Sequence, residues 1–321
     1  MNLAFAGFRH SHIFALYRMA LKNPDVQIIG CFEADGPARA QAEEALGVKF
    51  QFTSYEEILN SDEVDAIAIG DYYQKRGSMI IKALQHGKHV ISDKPLCTEL
   101  SELEEIQKLS SQSRLKVSCM LDLRYLAAAK KAKELIGEGA IGTVGIVSFT
   151  GQHFLDYEHR PKWYFEDGKH GGTINDIAIH GIDLIRFITG ENLSGITAAR
   201  VWNRFAVSEP NFKDCGQFMV DMGGISVMGD VSYAAPNYDG ILPTYWSFYF
   251  WGTTGMMHFN LKDSKTLLLY SKTEQIISCP ENTSDYLSDF IREIQGYSTM
   301  ICTEDVLESA AQTLRIQQAA K

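Results

Sequence analysis

The chain has 321 residues, 45% hydrophobic and 22% charged, and its 40 acidic side chains outweigh 30 basic ones for a net charge of −10. That length predicts two domains, each with a core of its own, and the acidic balance argues against a nucleic-acid partner, which needs a basic face. No apolar run is long enough to span a bilayer, and six dispersed cysteines without a Cys-x-x-Cys pair read as reduced thiols, so the expectation is a cytoplasmic protein with no membrane partner.

In chain order, "NLAFAG", "VQIIGCF", "VDAIAIG", "KHVISD" and "LKVSCM" are continuous apolar runs, the pattern of strands buried on both faces of a parallel sheet. Helical stretches separate them. "GPARAQAEEALG" is alanine-rich and ends on Gly47, and "TELSELEEIQKLSSQS" opens with Thr98 and carries Glu102 in its first turn. The alternation predicts βαβ units with right-handed crossovers in a doubly wound sheet, and a first domain over residues 1–120.

Beyond that point the rhythm changes. Helical "AAAKKAKELIGEG" precedes longer alternating segments: "TVGIVSFTGQHF", "GITAARVWNRFAV", "CGQFMVDMGG", "ISVMGDVSYAA", "TYWSFYFWGT" and "MMHFNL". Gly223-Gly224 reads as a two-residue hairpin turn, and the set as an open, mainly antiparallel sheet. "TSDYLSDFIREIQ" and "TEDVLESAAQTLRIQQAAK" return to helix, with caps at Thr283 or Ser284 and at Thr303. Residues 121–321 form the second domain on this reading.

Three stretches carry candidate chemistry. "AFAGFRHSHIFALY" joins the first strand to a helix beginning near Ser11, whose N–H groups favour an anion. It holds Gly7 alone where the usual dinucleotide fingerprint has three glycines. Glu33 stands at the end of the second strand, where a carboxylate grips a ribose hydroxyl. Taken alone, Gly7 reads equally as a strand-ending turn. In "KHVISDKPL", Lys94 and Pro95 follow a strand at its carboxyl end, the side where open α/β sheets bind ligands; Lys94 is a functional amine or a surface charge. In "HGGTINDIAIHGIDLIRFITGE", Ile174, Ile177, Ala178, Ile182 and Ile185 recur at helical spacing before a C-cap at Gly190. Asp176 and His180 are four apart and Asp183 continues their stripe, which makes either a carboxylate-supported general base or a solvated polar face.

Together these stretches resemble the Gfo/Idh/MocA oxidoreductases along nearly the whole chain. The family's Glu-Lys-Pro appears as Asp93-Lys94-Pro95, and its Gly-Gly…Asp-x-x-x-His helix as Gly171, Gly172, Asp176 and His180. "LDLRYLAAAKKAKELIGEGAIGTVG" is similar to the segment linking its two domains, with Arg124 at the usual arginine. The resemblance implies an N-terminal Rossmann domain and a C-terminal α/β domain whose open antiparallel sheet serves assembly into a homodimer or homotetramer. It implies a nicotinamide cofactor, NAD or NADP, with Glu33 favouring NAD, and a Lys94–Pro95 peptide in the cis form. Cofactor contacts would come from Gly7, Phe8, Arg9, His10, His12, Glu33, Gly70, Asp71, Tyr72, Arg76, Asp93 and Lys94. Lys94, Asp176 and His180 would surround the reacting carbon of a sugar, cyclitol or similar polyol, and Arg124, Tyr125, His153, Trp163 and Tyr164 would contact the substrate. No metal is implied.

The chain departs from the family in two loops. Arg9 and His12 fill the second and third glycine positions of the phosphate loop, and Asp71-Tyr72-Tyr73 with Arg76 replace a Thr-Pro-Asn and a histidine. Arg9 is expected to pair with phosphate in place of lost backbone contacts, and Arg9 or Arg76 to neutralise Asp71. Two rival readings stand beside the dehydrogenase. One is a non-catalytic nucleotide-binding regulator, which the altered loop suits and the retained Lys94, Asp176 and His180 do not. The other is a metal-dependent hydrolase using His153, His159, His170 and His180 with Asp176, whose histidines lack tight ligand spacing.

Overall fold

The computed structural model describes residues 1–320. Its elements begin with β1 (Asn2–Ala6), α1 (His12–Lys22), β2 (Gln27–Phe32), α2 (Gly36–Leu46), α3 (Tyr55–Leu59), β3 (Ala66–Ile69), α4 (Tyr73–Gln85), β4 (His89–Ser92), α5 (Leu100–Ser113) and β5 (Val117–Cys119). They continue with α6 (Ala127–Gly137), β6 (Val144–Phe154), α7 (Ile179–Thr189), β7 (Leu193–Trp202), β8 (Cys215–Met222) and β9 (Ile225–Ala235). Last come β10 (Ser247–Gly252), β11 (Met256–Asn260), β12 (Thr266–Tyr270), β13 (Glu274–Ser278), α8 (Tyr286–Ile294) and α9 (Thr303–Ala319). Contacts divide the chain into two compact units. The first comprises Met1–Met120, Pro161–Gly171 and Asp285–Ala310; the second comprises Leu121–Arg160, Gly172–Ser284 and the described residues from Ala311 on.

In the first unit the five expected strands pair in parallel in the order β2-β1-β3-β4-β5. Residues 3–6 of β1 and all of β3 are fully buried, which is why these segments read as unbroken apolar runs. From β1 the chain crosses to β2 on one side, and β3 lies on the other. The crevice outside the carboxyl ends of β1 and β3 is therefore the topological switch point, where such sheets bind ligands. Two loops meet there, with the Arg9 N–H donating to the Gly70 carbonyl at 3.0 Å. Gly7 sits at φ +89°, and a Cβ on it would lie 2.5 Å from the Asp71 nitrogen, so the site demands glycine twice over.

Several helix ends follow the expected chemistry. α2 closes on a left-handed Gly47 and α7 on a left-handed Gly190. The cap of α8 differs from expectation. Asp285, not Thr283 or Ser284, accepts the Ser288 N–H, because it stands directly before the first turn of α8. Thr303 opens α9, but its hydroxyl serves Glu293 and the Val117 N–H.

The second unit is built on an eight-stranded sheet in the order β13-β12-β11-β10-β6-β9-β8-β7, antiparallel except for the β6–β9 pair. The expected Gly223–Gly224 turn joins β8 to β9. Phe149, Phe218, Phe248, Phe250 and Phe259 are buried in its core, where α6 packs on β11 and β12 and α7 packs on α6. On this sheet Ile146, Ile196, Met219, Met228 and Trp251 remain between 36% and 48% exposed. All six cysteines are free thiols. Among the described residues, no helix is long and apolar enough to cross a membrane.

Candidate active site

The carboxyl end of β4 runs into Asp93, Lys94 and Pro95, with Asp93 fully enclosed. A buried carboxylate needs partners. Arg76 Nη2 donates to Asp93 Oδ2 at 3.0 Å, and His10 Nδ1 stands 2.5 Å from the same oxygen. His12 Nδ1 lies 3.5 Å from Oδ1. Burial by itself would raise the Asp93 carboxyl, but Arg76 and His10 outweigh it and hold the group well below the usual range. Burial also pushes His10 down to about 3. The imidazole is therefore neutral: Nδ1–H donates to the carboxylate, and Nε2 accepts from the Tyr73 hydroxyl at 3.2 Å. The Tyr73 and Tyr164 hydroxyls, 2.8 Å apart, extend the chain of bonds.

Arg76 is 0% exposed. Its Nε donates to the Asp71 carbonyl at 2.7 Å, and Nη1 donates to the carbonyls of Lys94 at 2.5 Å and Pro95 at 3.2 Å. The Lys94–Pro95 peptide is cis, as the resemblance implies. Sequence reasoning sets Arg76 against the cofactor; the structure encloses it. The carboxylate and three carbonyls at the strand ends supply partners within the unit, so the guanidinium holds the backbone around Lys94.

The other charges of the crevice are also engaged within the unit. Glu33 stands at the end of β2 as expected but is 4% exposed, and its carboxylate accepts the N–H groups of Phe8 at 2.5 Å and Asp35 at 2.7 Å. Burial raises its pKa, and those two bonds work against the rise. Glu33 thus locks the path of the first loop. Arg9 pairs with Asp35 at 3.4 Å, over the Tyr72 ring at 5.7 Å. Asp71 is neutralised by Lys75 at 2.7 Å, and not by Arg9 or Arg76 as expected. Trp163 and Tyr164, expected at the substrate, are 2% exposed and roof this loop, with Trp163 Nε1 donating to the Arg9 carbonyl at 3.1 Å. Ser11 makes no side-chain cap on α1, and the first turn of α1 holds no acidic residue. The Ile13 and Phe14 N–H groups donate to the His10 and Ser11 carbonyls at 3.3 Å and 3.1 Å, so what the start of α1 offers an anion is its positive dipole end.

In the second unit, Ile174–Ala178 wind as a π-turn leading into α7, a form that recurs at functional sites. Asp176 accepts a hydrogen bond from the Tyr233 hydroxyl on β9. His180 Nδ1 stands 3.5 Å from Asp122 Oδ1, and its ring meets Trp246 edge to face at 5.4 Å. Sequence reasoning gives His180 the Asp176 carboxylate; in the structure Asp122 stands by the imidazole and the Tyr233 hydroxyl donates to Asp176. His153 Nε2 is 3.4 Å from the Tyr245 hydroxyl. Burial is the main force raising the Tyr245 phenol to about 12, with Asp122 and Asp176 adding to the rise. Arg124, expected at the substrate, instead grips Asp183 with both arms, Nε to Oδ2 at 2.7 Å and Nη2 to Oδ1 at 2.6 Å. The fork geometry of the two groups matches, and both are buried. Tyr125 is half-buried, its carbonyl accepting from the Asn282 amide at 3.3 Å.

Among the described residues, the grouping with metal-ligand spacing is His10, His12 and Asp93, not the histidines of the hydrolase reading. His159 lies exposed beside Asp156 at 2.9 Å.

The His10 pair has a pH signature. Its folded pKa lies below the free value of 6.5, so the unfolded chain takes up the proton first, and stability falls as pH drops from 6.5 towards about 3. Asp93, likewise depressed, withdraws its contribution as pH falls below its ordinary 3.8. His10→Gln should flatten stability against pH between those first two values, measured by urea unfolding at a series of pH values. A slope equal to that of the wild type would contradict the assignment.

A model of the GFO/IDH/MocA oxidoreductase family, NAD-binding Rossmann fold, matches residues 2–121, and a model of the GFO/IDH/MocA C-terminal domain matches residues 129–258. The chain is 28% identical over 196 residues to a levoglucosan dehydrogenase of Pseudarthrobacter phenanthrenivorans, a match covering 58% of this chain and 49% of that protein. It spans about half the length of the curated relatives it matches. Among solved structures, a protein of Erwinia carotovora atroseptica shares the fold with a TM-score of 0.89 at 22% identity, covering 100% of this chain and 99% of the other. A levoglucosan dehydrogenase in complex with NADH and levoglucosan does so with a TM-score of 0.82 at 19% identity, covering 100% and 97%. With both domain models matched in order over most of its length, the chain belongs to the GFO/IDH/MocA oxidoreductases.

Proposed function

We propose that the protein moves hydride between NAD and a secondary hydroxyl of a sugar, cyclitol or similar polyol. The observation that carries this reading is the burial of the ionisable groups the family resemblance sets at the reacting carbon: Lys94 and Asp176 are 2% exposed and His180 is 6% exposed. Such groups are seldom so enclosed without a structural partner or a chemical task. The relative and the solved structure named for levoglucosan dehydrogenase support the substrate class.

The first unit offers a dinucleotide the crevice at the switch point, where Gly7 lets the first loop close on Asp71, and the positive end of α1, whose first turn holds no acidic residue, for its pyrophosphate. Glu33 and Asp35 put carboxylates at the end of β2, which favours NAD over NADP because a 2′-phosphate would be repelled. Bound NAD supplies the hydride acceptor. Lys94 donates to the substrate oxygen and stabilises the negative charge that grows there. His180 takes the hydroxyl proton as general base, and Asp176, fixed by Tyr233, serves that proton transfer. The free thiols fit the reducing cytoplasm expected for the chain.

The test follows NADH absorbance with a panel of levoglucosan, myo-inositol and D-xylose. Lys94→Ala should lower turnover at least about 100-fold while NADH affinity stays within about threefold. Turnover persisting in Lys94→Ala would overturn its role, and NADH binding without turnover of any polyol would favour the regulator.

Assembly into a homodimer or homotetramer through the exposed sheet residues belongs to the proposal. Met219 faces Met228 across β8–β9, and Trp251 faces Ile146 across β10–β6, an apolar patch of the kind that marks interfaces. Light scattering should give two or four times the chain mass, and single-chain mass for the Met219→Glu, Met228→Glu double variant. A single-chain mass for the wild type would refute it.

A further inference from the structure

Trp246 has no part in the reaction as described so far, yet its conformation is the least ordinary in the second unit. Its backbone sits at φ +49°, a left-handed region that bulky residues rarely occupy. Residues held in such conformations cluster at functional sites. The side chain is 3% exposed. Phe149 and Phe248 stack parallel to it, at 6.4 Å and 20° and at 6.3 Å and 9°. Strand β6 makes room for it at Gly151, where a Cβ would lie 2.8 Å from the indole. These near-parallel neighbours and Gly151 hold the indole plane, and the ring meets two imidazoles edge to face, His180 at 5.4 Å and His153 at 5.7 Å.

We infer that Trp246 is a positioning residue that fixes the ring plane of His180. The inference rests on the reading of His180 as proton acceptor. The torsion that turns an imidazole about its own axis is broad and nearly two-fold, so the side chain needs outside contacts to choose one plane. Asp122, 3.5 Å from Nδ1, has a side chain 65% exposed, whereas Trp246 is buried against the ring. The indole lies beside two parallel phenylalanine rings that are themselves 5.6 Å apart, which holds its plane, and it stands edge to face with the imidazole that becomes an imidazolium when the hydroxyl proton is taken.

The test compares wild type, Trp246→Phe, Trp246→Leu and Phe250→Leu, with ring ¹⁵N signals of His180 read by NMR on histidine-labelled protein and assigned through His180→Gln. Phe250 is equally buried in the adjoining strand, with its ring contact on Phe259, and serves as the stability control. Narrow His180 signals are expected in wild type, Trp246→Phe and Phe250→Leu, and broadened or averaged signals in Trp246→Leu. With NAD and whichever polyol of the panel is turned over, Trp246→Leu should lower kcat at least about tenfold and leave KM for the polyol within about threefold. Unchanged His180 signals in Trp246→Leu, or equal broadening in Phe250→Leu, would overturn the inference. If no polyol is turned over, the reading of His180 as proton acceptor fails, and the NMR comparison still decides whether Trp246 sets its ring plane.

Discussion

Asp93 is enclosed at the end of β4 and accepts hydrogen bonds from Arg76, 17 residues away on α4, and from His10, 83 residues away in the first loop. Moving a carboxylate out of water costs several kcal/mol, roughly, and leaves a severe penalty if either partner is lost. That penalty makes the geometry unique: α4 and the first loop must both come to the end of β4. Arg76, once drawn in, closes its remaining donors on the carbonyls of Asp71, Lys94 and Pro95. The placement of the Lys94 backbone is a consequence of where Asp93 is satisfied. Glu33 works from the other side, holding the Phe8 and Asp35 amides. Two buried carboxylates, one from β2 and one from β4, fix the path of a loop that has a single glycine where a dinucleotide fingerprint has three.

The second unit uses the same device. Arg124 and Asp183 tie the turn after residue 121 to α7, Tyr233 ties β9 to the π-turn at Asp176, and Asp214 gathers the N–H groups of Arg204, Phe205 and Ala206. In the first two cases a carboxylate satisfied inside the unit sets the shape around a group proposed for chemistry, and in the third it shapes a loop. The neutral His10 follows from burial, which wins against the opposing pull of Asp93, and the high-pKa Tyr245 follows from burial with Asp122 and Asp176 adding to it.

The parallel strands were legible because each is covered on both faces, so that burial is written as an unbroken apolar run. Gly47, Gly190 and the Gly223–Gly224 turn were legible because backbone geometry dictates the residue type. β13 was not, since it is an edge strand whose side chains are mostly exposed and carries no alternation. The cap at Asp285 is not legible, because Thr283, Ser284 and Asp285 are all good capping residues and only the fold sets where α8 begins. Among the groups proposed for chemistry, Lys94, Asp176 and His180 stand out in the sequence, whereas Tyr73 in the first unit and Asp122, Tyr233 and Trp246 in the second are tied in only through pairings far along the chain. Lys75 was readable, four residues after Asp71 on one helix face. Arg76, Glu33 and Arg124 carry charges that sequence reasoning assigns to a ligand, and folding assigns them to backbone amides, carbonyls and a second carboxylate.

The central claim is that this rebuilt loop still receives a dinucleotide. The most direct measurement is a crystal structure of the protein soaked with NADH. The account predicts pyrophosphate at Gly7 and the first turn of α1, and nicotinamide beside Lys94 Nζ, with Asp93 keeping its bonds to Arg76 and His10. An empty crevice at saturating NADH, or a dinucleotide bound away from the loop between β1 and α1, would contradict it.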